Sequence, residues 1–122
     1  MTINNRAAAP PFVTADGSTI REFLNPGLAP LRNMSLAEAT LSPGQKTTRH
    51  YHPRAEEIYL VLQGSGLMEV AGDVAEVGPG DAIAIPNGLP HQITNNREEP
   101  LVFLCCCAPS YLHADTVLLP LE

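Results

Sequence analysis

Apolar residues fall in short runs along the chain, and the residues between the runs are those that make turns. Phe12-Val13-Thr14, then Asp16-Gly17, then Ser18 to Leu24 read as a hairpin: two strand-like runs flank a dipeptide suited to a tight turn. Asn25-Pro26-Gly27 and Pro30 break it. Met34, Leu36, Ala37 and Leu41 suit helical spacing over Asn33 to Leu41, but the neighbours are strands and Pro43-Gly44 ends the run early, so a strand is expected. Thr47 to His52 is the next strand, and Pro53-Arg54-Ala55 makes a bend. Glu57 to Leu62 alternates most clearly, with Ile58, Leu60 and Leu62 on one face and Glu57, Tyr59 and Val61 on the other. Both faces are largely apolar, which predicts a sheet covered on both sides.

Turn signals then recur at even spacing, at Gln63-Gly64-Ser65-Gly66, Ala71-Gly72-Asp73, Gly78-Pro79-Gly80-Asp81 and Pro86-Asn87-Gly88. Ala82 to Ile85 and Gln92 to Thr94 are strands, and Leu101 to Cys107 is a continuously apolar, buried one. The tail from Ala108 carries Tyr111, Val117, Leu118, Leu119 and Leu121 and is expected to pack on the body. Residues 1–11 have little to bury and read as a flexible N-terminal arm, or one ordered by a partner subunit. Many short strands without a long helix predict one all-β sandwich or barrel over residues 12–122.

Length agrees, since 122 residues suit one domain with a core. Charge narrows the partners. Thirteen acidic residues stand against 7 basic ones, net −6, and the cations form no stripe, which argues against nucleic acid or an anionic membrane. No run approaches the roughly 18 apolar residues of a membrane span, and no signal-peptide pattern opens the chain. The three cysteines are consecutive, Cys105 to Cys107, and cannot form a spaced disulfide framework. Together these features predict a cytoplasmic protein. Alternation puts Cys105 and Cys107 on the face of Leu101 and Phe103, in apolar company, where free cysteines act as small buried hydrophobes.

The chemistry lies in the histidines. Three of four occur between Gly44 and Asn95: His50 and His52 as a His-x-His pair, and His91 after Pro86-Asn87-Gly88. Residues two apart on a strand point the same way with Cα atoms roughly 6.6 Å apart, so His50 and His52 can converge on one ion. A carboxylate follows, as Glu56 or Glu57, and His91 completes a candidate shell.

These residues resemble the cupin superfamily, of the small single-domain kind. Its first motif, G-x5-H-x-H-x(3,4)-E-x6-G, is met by Gly44, His50, His52, Glu57 and Gly64, over residues 44–64. The second, G-x5-P-x-G-x2-H-x3-N, is met by Gly80, Pro86, Gly88, His91 and Asn95, over residues 80–95. Motif spacing selects Glu57 over Glu56. The resemblance implies a double-stranded β-helix, or jelly-roll barrel, with each motif forming a hairpin-like strand pair. It also implies one divalent transition metal (Fe, Mn, Ni, Cu, Co or Zn) held by His50, His52, Glu57 and His91. Such a centre keeps a single net positive charge and open coordination positions, suited to an anionic bidentate substrate or to a substrate plus dioxygen.

By the same resemblance the protein is a metalloprotein acting on a small oxygen-rich molecule, as a dioxygenase or as an isomerase or lyase. The alternative is a non-catalytic module that binds a metal or small ligand. Tyr59 and Thr48 share the parity of the ligands and are candidates to face the cavity; Tyr59, with Arg54 in the bend, is also a candidate catalytic group. His113 lies outside both motifs and reads as structural or exposed. The arm and the apolar strands resemble cupins that pair through their sheets, which implies a homodimer.

Overall fold

In the computed structural model, which describes residues 1–119, eleven strands form two antiparallel sheets. They are β1 (Phe12–Val13), β2 (Thr19–Leu24), β3 (Ser35–Leu41), β4 (His50–Tyr51), β5 (Glu56–Gln63), β6 (Gly66–Val70), β7 (Asp73–Val77), β8 (Ala82–Ile85), β9 (His91–Thr94), β10 (Leu101–Ala108) and β11 (Val117–Leu118). One sheet has the order β1-β2-β3-β10-β5-β8 and the other β11-β4-β9-β6-β7. The expected jelly roll is therefore present. Leu121 of the tail lies outside the described residues.

Register explains how the barrel interior is divided. Across the first sheet, Ile20, Ala39, Phe103 and Val61 form one inward row; Glu22, Ala37, Cys105 and Tyr59 the next; and Ser35, Cys107, Glu57 and Ile85 the third. The first row packs with Leu41, Leu101, Met68 and Ile93 into a dry core. Chemistry begins one row later. Gly64 turns the chain sharply from β5 at φ +77°, and a Cβ there would run into the Pro100 carbonyl, so only glycine fits.

Three expectations need correction. The two strands of each motif are not hairpin partners: β4 and β9 pair in the second sheet, whereas β5 and β8 pair in the first. The bends at Pro53 and Pro86 carry each motif from one sheet to the other. The strand expected over Thr47 to His52 is regular only at His50–Tyr51, because Thr48 N–H turns away to the Asp16 carbonyl at 2.7 Å. The first sheet is also not covered on both faces: Ile58 and Leu62 are 53% and 46% exposed on its outer side.

Where the sequence predicts a flexible arm, residues 4–9 lie against the barrel. Asn5 caps a 3-10 turn at Arg6–Ala8, Arg6 Nε donates to both oxygens of the buried Glu38, and Arg21 donates to the Ala9 carbonyl at 2.7 Å. No helix among the described residues is long and apolar enough to cross a membrane.

Candidate metal centre

β4 and β9 bring His50 and His91 directly opposite each other, with ring centroids 4.3 Å apart. His52 follows two residues after His50, as strand alternation requires, and Glu57 enters from the facing sheet. One donor atom from each of His50, His52, Glu57 and His91 lies within 4.8 Å of the others, and all four residues are buried.

The backbone fixes which nitrogen points inward. His50 Nδ1 lies 2.6 Å from the Thr48 carbonyl, His52 Nδ1 3.1 Å from that of Asp115, and His91 Nδ1 3.0 Å from that of Leu89. A carbonyl can only accept, so each neutral ring carries its proton on Nδ1 and turns the Nε2 lone pair to the centre. This outer set of acceptors is what orients histidine ligands in metal sites. Gly88, at φ +80°, makes the turn before His91, and its N–H donates to the His52 carbonyl at 2.7 Å. The tail contributes as well. A 3-10 turn at His113–Asp115 places the buried Asp115 carboxylate on the Arg54 and Ala55 N–H groups, at 3.1 and 3.0 Å.

Glu57 Oε2 accepts from the Cys107 thiol at 3.1 Å, which leaves Oε1 facing the histidines. Oε1 sits 2.8 Å from His52 Nε2 and 3.4 Å from His91 Nε2, yet Oε1 and His91 Nε2 have no aligned hydrogen bond. Burial disfavours the Glu57 carboxylate, but the His52 and His91 contacts outweigh it and hold its pKa well below the ordinary range. Burial likewise pushes His52 toward neutrality, and Glu57 more than offsets this to raise its pKa. His50 is lowered by burial and by the charge of His91. Burial, then the Glu57 charge, pushes the Cys107 thiol far up, so it remains a neutral donor.

A family model described as Cupin domain matches residues 37–107, more than half of the chain. The chain belongs to the cupin family. Uncharacterized protein MJ1618 of Methanocaldococcus jannaschii is 47% identical over 109 residues, covering 89% of this cupin and 87% of that protein. Tetracenomycin polyketide synthase protein TcmJ of Streptomyces glaucescens is 28% identical over 84 residues; the match covers 69% of this cupin and only 56% of TcmJ. Among solved structures, the polyketide cyclase RemF of Streptomyces resistomycificus superposes with a TM-score of 0.84 at 25% identity, covering all of this cupin and 87% of RemF.

The donor set of this cupin fits a divalent transition metal. Three Nε2 lone pairs and one carboxylate oxygen face a common point, and the two side-chain polar atoms buried without an aligned partner among the described residues, Glu57 Oε1 and His91 Nε2, both belong to this group. A mixed nitrogen and oxygen shell does not select among the six candidate metals.

A cavity of about 470 Å³, mouth included, opens beside the ligands. Tyr59 lines it, as strand parity predicts, with its ring 4.7 Å from Phe103. Arg54 does not. Its side chain is exposed at the bend, and only its backbone takes part. Thr48 acts through its carbonyl and is absent from the wall, Glu56 is exposed on the outer face, and His113 is exposed beside Tyr111.

Several wall residues escape sequence reasoning: Asp16, Glu22, Cys105, Cys107 and Tyr111. Asp16 had been legible only as a turn residue. In the structure its Oδ2 lies 3.7 Å from His50 Nε2. The expected net positive site is therefore incomplete as a description, because Asp16 and Glu22 add two carboxylates to the same cavity and none of the seven Lys and Arg residues lines it.

Proposed function

We propose that this cupin holds one divalent transition metal through His50, His52, Glu57 and His91 and acts as an enzyme on a small oxygen-rich molecule in the adjoining cavity. The observation that carries this reading is the tying back of all three Nδ1 atoms to backbone carbonyls while four ligand atoms converge within 4.8 Å. The carbonyl bonds recover the desolvation of Nδ1 on each ring, and a bound cation recovers that of the converging Nε2 atoms.

When bound, the metal supplies Lewis-acid polarisation of a substrate oxygen and a template for the reactants. The chain does the rest. Cys107 holds Glu57 so that one oxygen faces the site, Asp115 and Leu89 fix the rings of His52 and His91, and Phe103 with Ile20 closes the floor against water. Tyr59, whose pKa burial raises, keeps its phenolic proton and presents a neutral hydroxyl in the wall. The likeness to a polyketide cyclase supports a carbonyl-rich and hydroxyl-rich substrate. Isomerase or lyase chemistry fits this class directly, and dioxygenase chemistry fits it where the bound metal is redox-active.

The test is turnover by metal-loaded protein on a panel of diketones, phenols and sugar derivatives, beside a His52→Ala variant. Conversion of at least one class by wild type and none by the variant is expected. Ligand-induced shifts in melting temperature without turnover of any class would make this a binding module.

The outer face of the first sheet supports a homodimer. Ile58 and Leu62 are exposed there, and Leu60, Leu104 and Cys106 are only half-buried. Light scattering is expected to give twice the chain mass for wild type and the chain mass for Ile58→Glu.

A further inference from the structure

The polar groups of the cavity wall are unequally spent. Apart from the Tyr59 hydroxyl and the weak Cys105 thiol, its donors are used inside the protein: Ser18 Oγ donates to Asp16 Oδ1 at 2.6 Å, the Thr14 and Tyr111 hydroxyls bond each other at 2.8 Å, and the Cys107 thiol donates to Glu57. Its acceptors are not. Asp16 Oδ1 takes both the Ser18 N–H and hydroxyl, which leaves Oδ2 directed at the metal side of His50. Glu22, one register row from Ser35 and Cys107, has only a long contact of 3.4 Å from Asn25 Nδ2. All seven cations lie elsewhere, with Arg6 on Glu38, Arg49 on Glu69 and Arg97 on Glu76.

We infer that the cavity takes an uncharged molecule with vicinal hydroxyls, recognised by Asp16 and Glu22 as hydrogen-bond acceptors, and rejects carboxylate anions. This rests on the reading that His50, His52, Glu57 and His91 hold a metal. A hydroxyl beside the metal lies within reach of Asp16 Oδ2, because that oxygen is already 3.7 Å from His50 Nε2. A second or third hydroxyl meets Glu22 further along the wall. A dicarboxylate gains from the metal but brings its charge against two carboxylates in a pocket of low dielectric, with no guanidinium or ammonium to pair it. Asp16 thus selects the class of ligand. It is held for that task by its Thr48 and Ser18 contacts.

The experiment compares catechol, which enters uncharged and on chelation gives up hydroxyl protons to Asp16 Oδ2 and to buffer, with oxalate, which brings two negative charges, by calorimetric titration in two buffers of different ionisation enthalpy into metal-loaded wild type, Asp16→Asn and Glu22→Gln. Metal content is measured first in each. Catechol is expected to bind wild type at least about tenfold more tightly than oxalate, and each variant is expected to narrow the ratio, Asp16→Asn by about tenfold. Oxalate binding as tightly as catechol, a ratio unchanged in both variants, or binding of neither probe to protein with a full metal equivalent would overturn the inference and leave the metal site standing. Wild type that takes up no metal overturns both readings at once.

Discussion

The closed and open halves of the barrel are built from the same strands and the same inward parity, yet they share almost no chemistry. β10 supplies Leu101 and Phe103 to the closed half and Cys105 and Cys107 to the open one; β9 supplies Ile93 and then His91; β5 supplies Val61 and then Glu57; β2 supplies Ile20 and then Glu22. Parity decides only that a side chain points inward. Position along the strand decides whether it meets hydrocarbon or the site. The closed half is filled by apolar side chains and gains from burial, whereas the open half buries three histidines and a glutamate whose desolvation is offset in part by their contacts with one another and with backbone carbonyls.

That contrast can be broken from either side. The largest effect is expected from His91→Ala, which removes one of the four proposed ligands. Metal binding measured by calorimetry should disappear, while the metal-free protein, which loses the Nδ1 bond to the Leu89 carbonyl but also a buried Nε2 without an aligned partner, is expected to lose less stability than Phe103→Ala. In the closed half, Phe103→Ala should do the reverse. Loss of the large buried ring is expected to cost about 3–5 kcal/mol in urea unfolding, with the metal stoichiometry of the folded fraction unchanged.

A smaller effect sharpens the boundary. Cys107→Ala frees Glu57 Oε2 and should weaken metal binding by about 10-fold, and Cys107→Ser, which restores a donor, should recover most of the loss. If serine and alanine are alike, the thiol only fills space.

The smallest effect concerns Glu22, whose pKa burial raises despite the Asn25 contact. A carboxyl with a raised folded pKa binds its proton more tightly in the native state, so its contribution to stability is greatest below the unfolded pKa and falls as pH rises through the folded one. Glu22→Gln should therefore raise the melting temperature at pH 7 and leave it nearly unchanged near pH 4. Thermal scans at the two values check this.

Much of this was legible before the fold was known, because both motifs and the strand alternation are local. The spacing from Gly44 to Gly64 selected Glu57 over Glu56, and alternation put Tyr59 on the same face as Glu57. What local pattern could not give was pairing across the barrel. Cys107 meets Glu57 only because β10 and β5 are in register, and Asp16 reaches His50 only because Thr48 turns to the Asp16 carbonyl. The Asp115 clamp on the Pro53 bend, 60 residues away in sequence, is likewise a product of the closed chain. Arg54 illustrates the opposite failure, since closeness to the ligands in sequence did not put its side chain in the cavity.

The central claim is that four residues hold one metal, and elemental analysis of protein purified without an affinity tag or chelator tests it most directly. About one equivalent of a single transition metal in wild type, absent from His50→Ala prepared in parallel, is the expected result. Wild type that is empty and still refuses Fe, Mn, Co, Ni, Cu and Zn on reconstitution would contradict it.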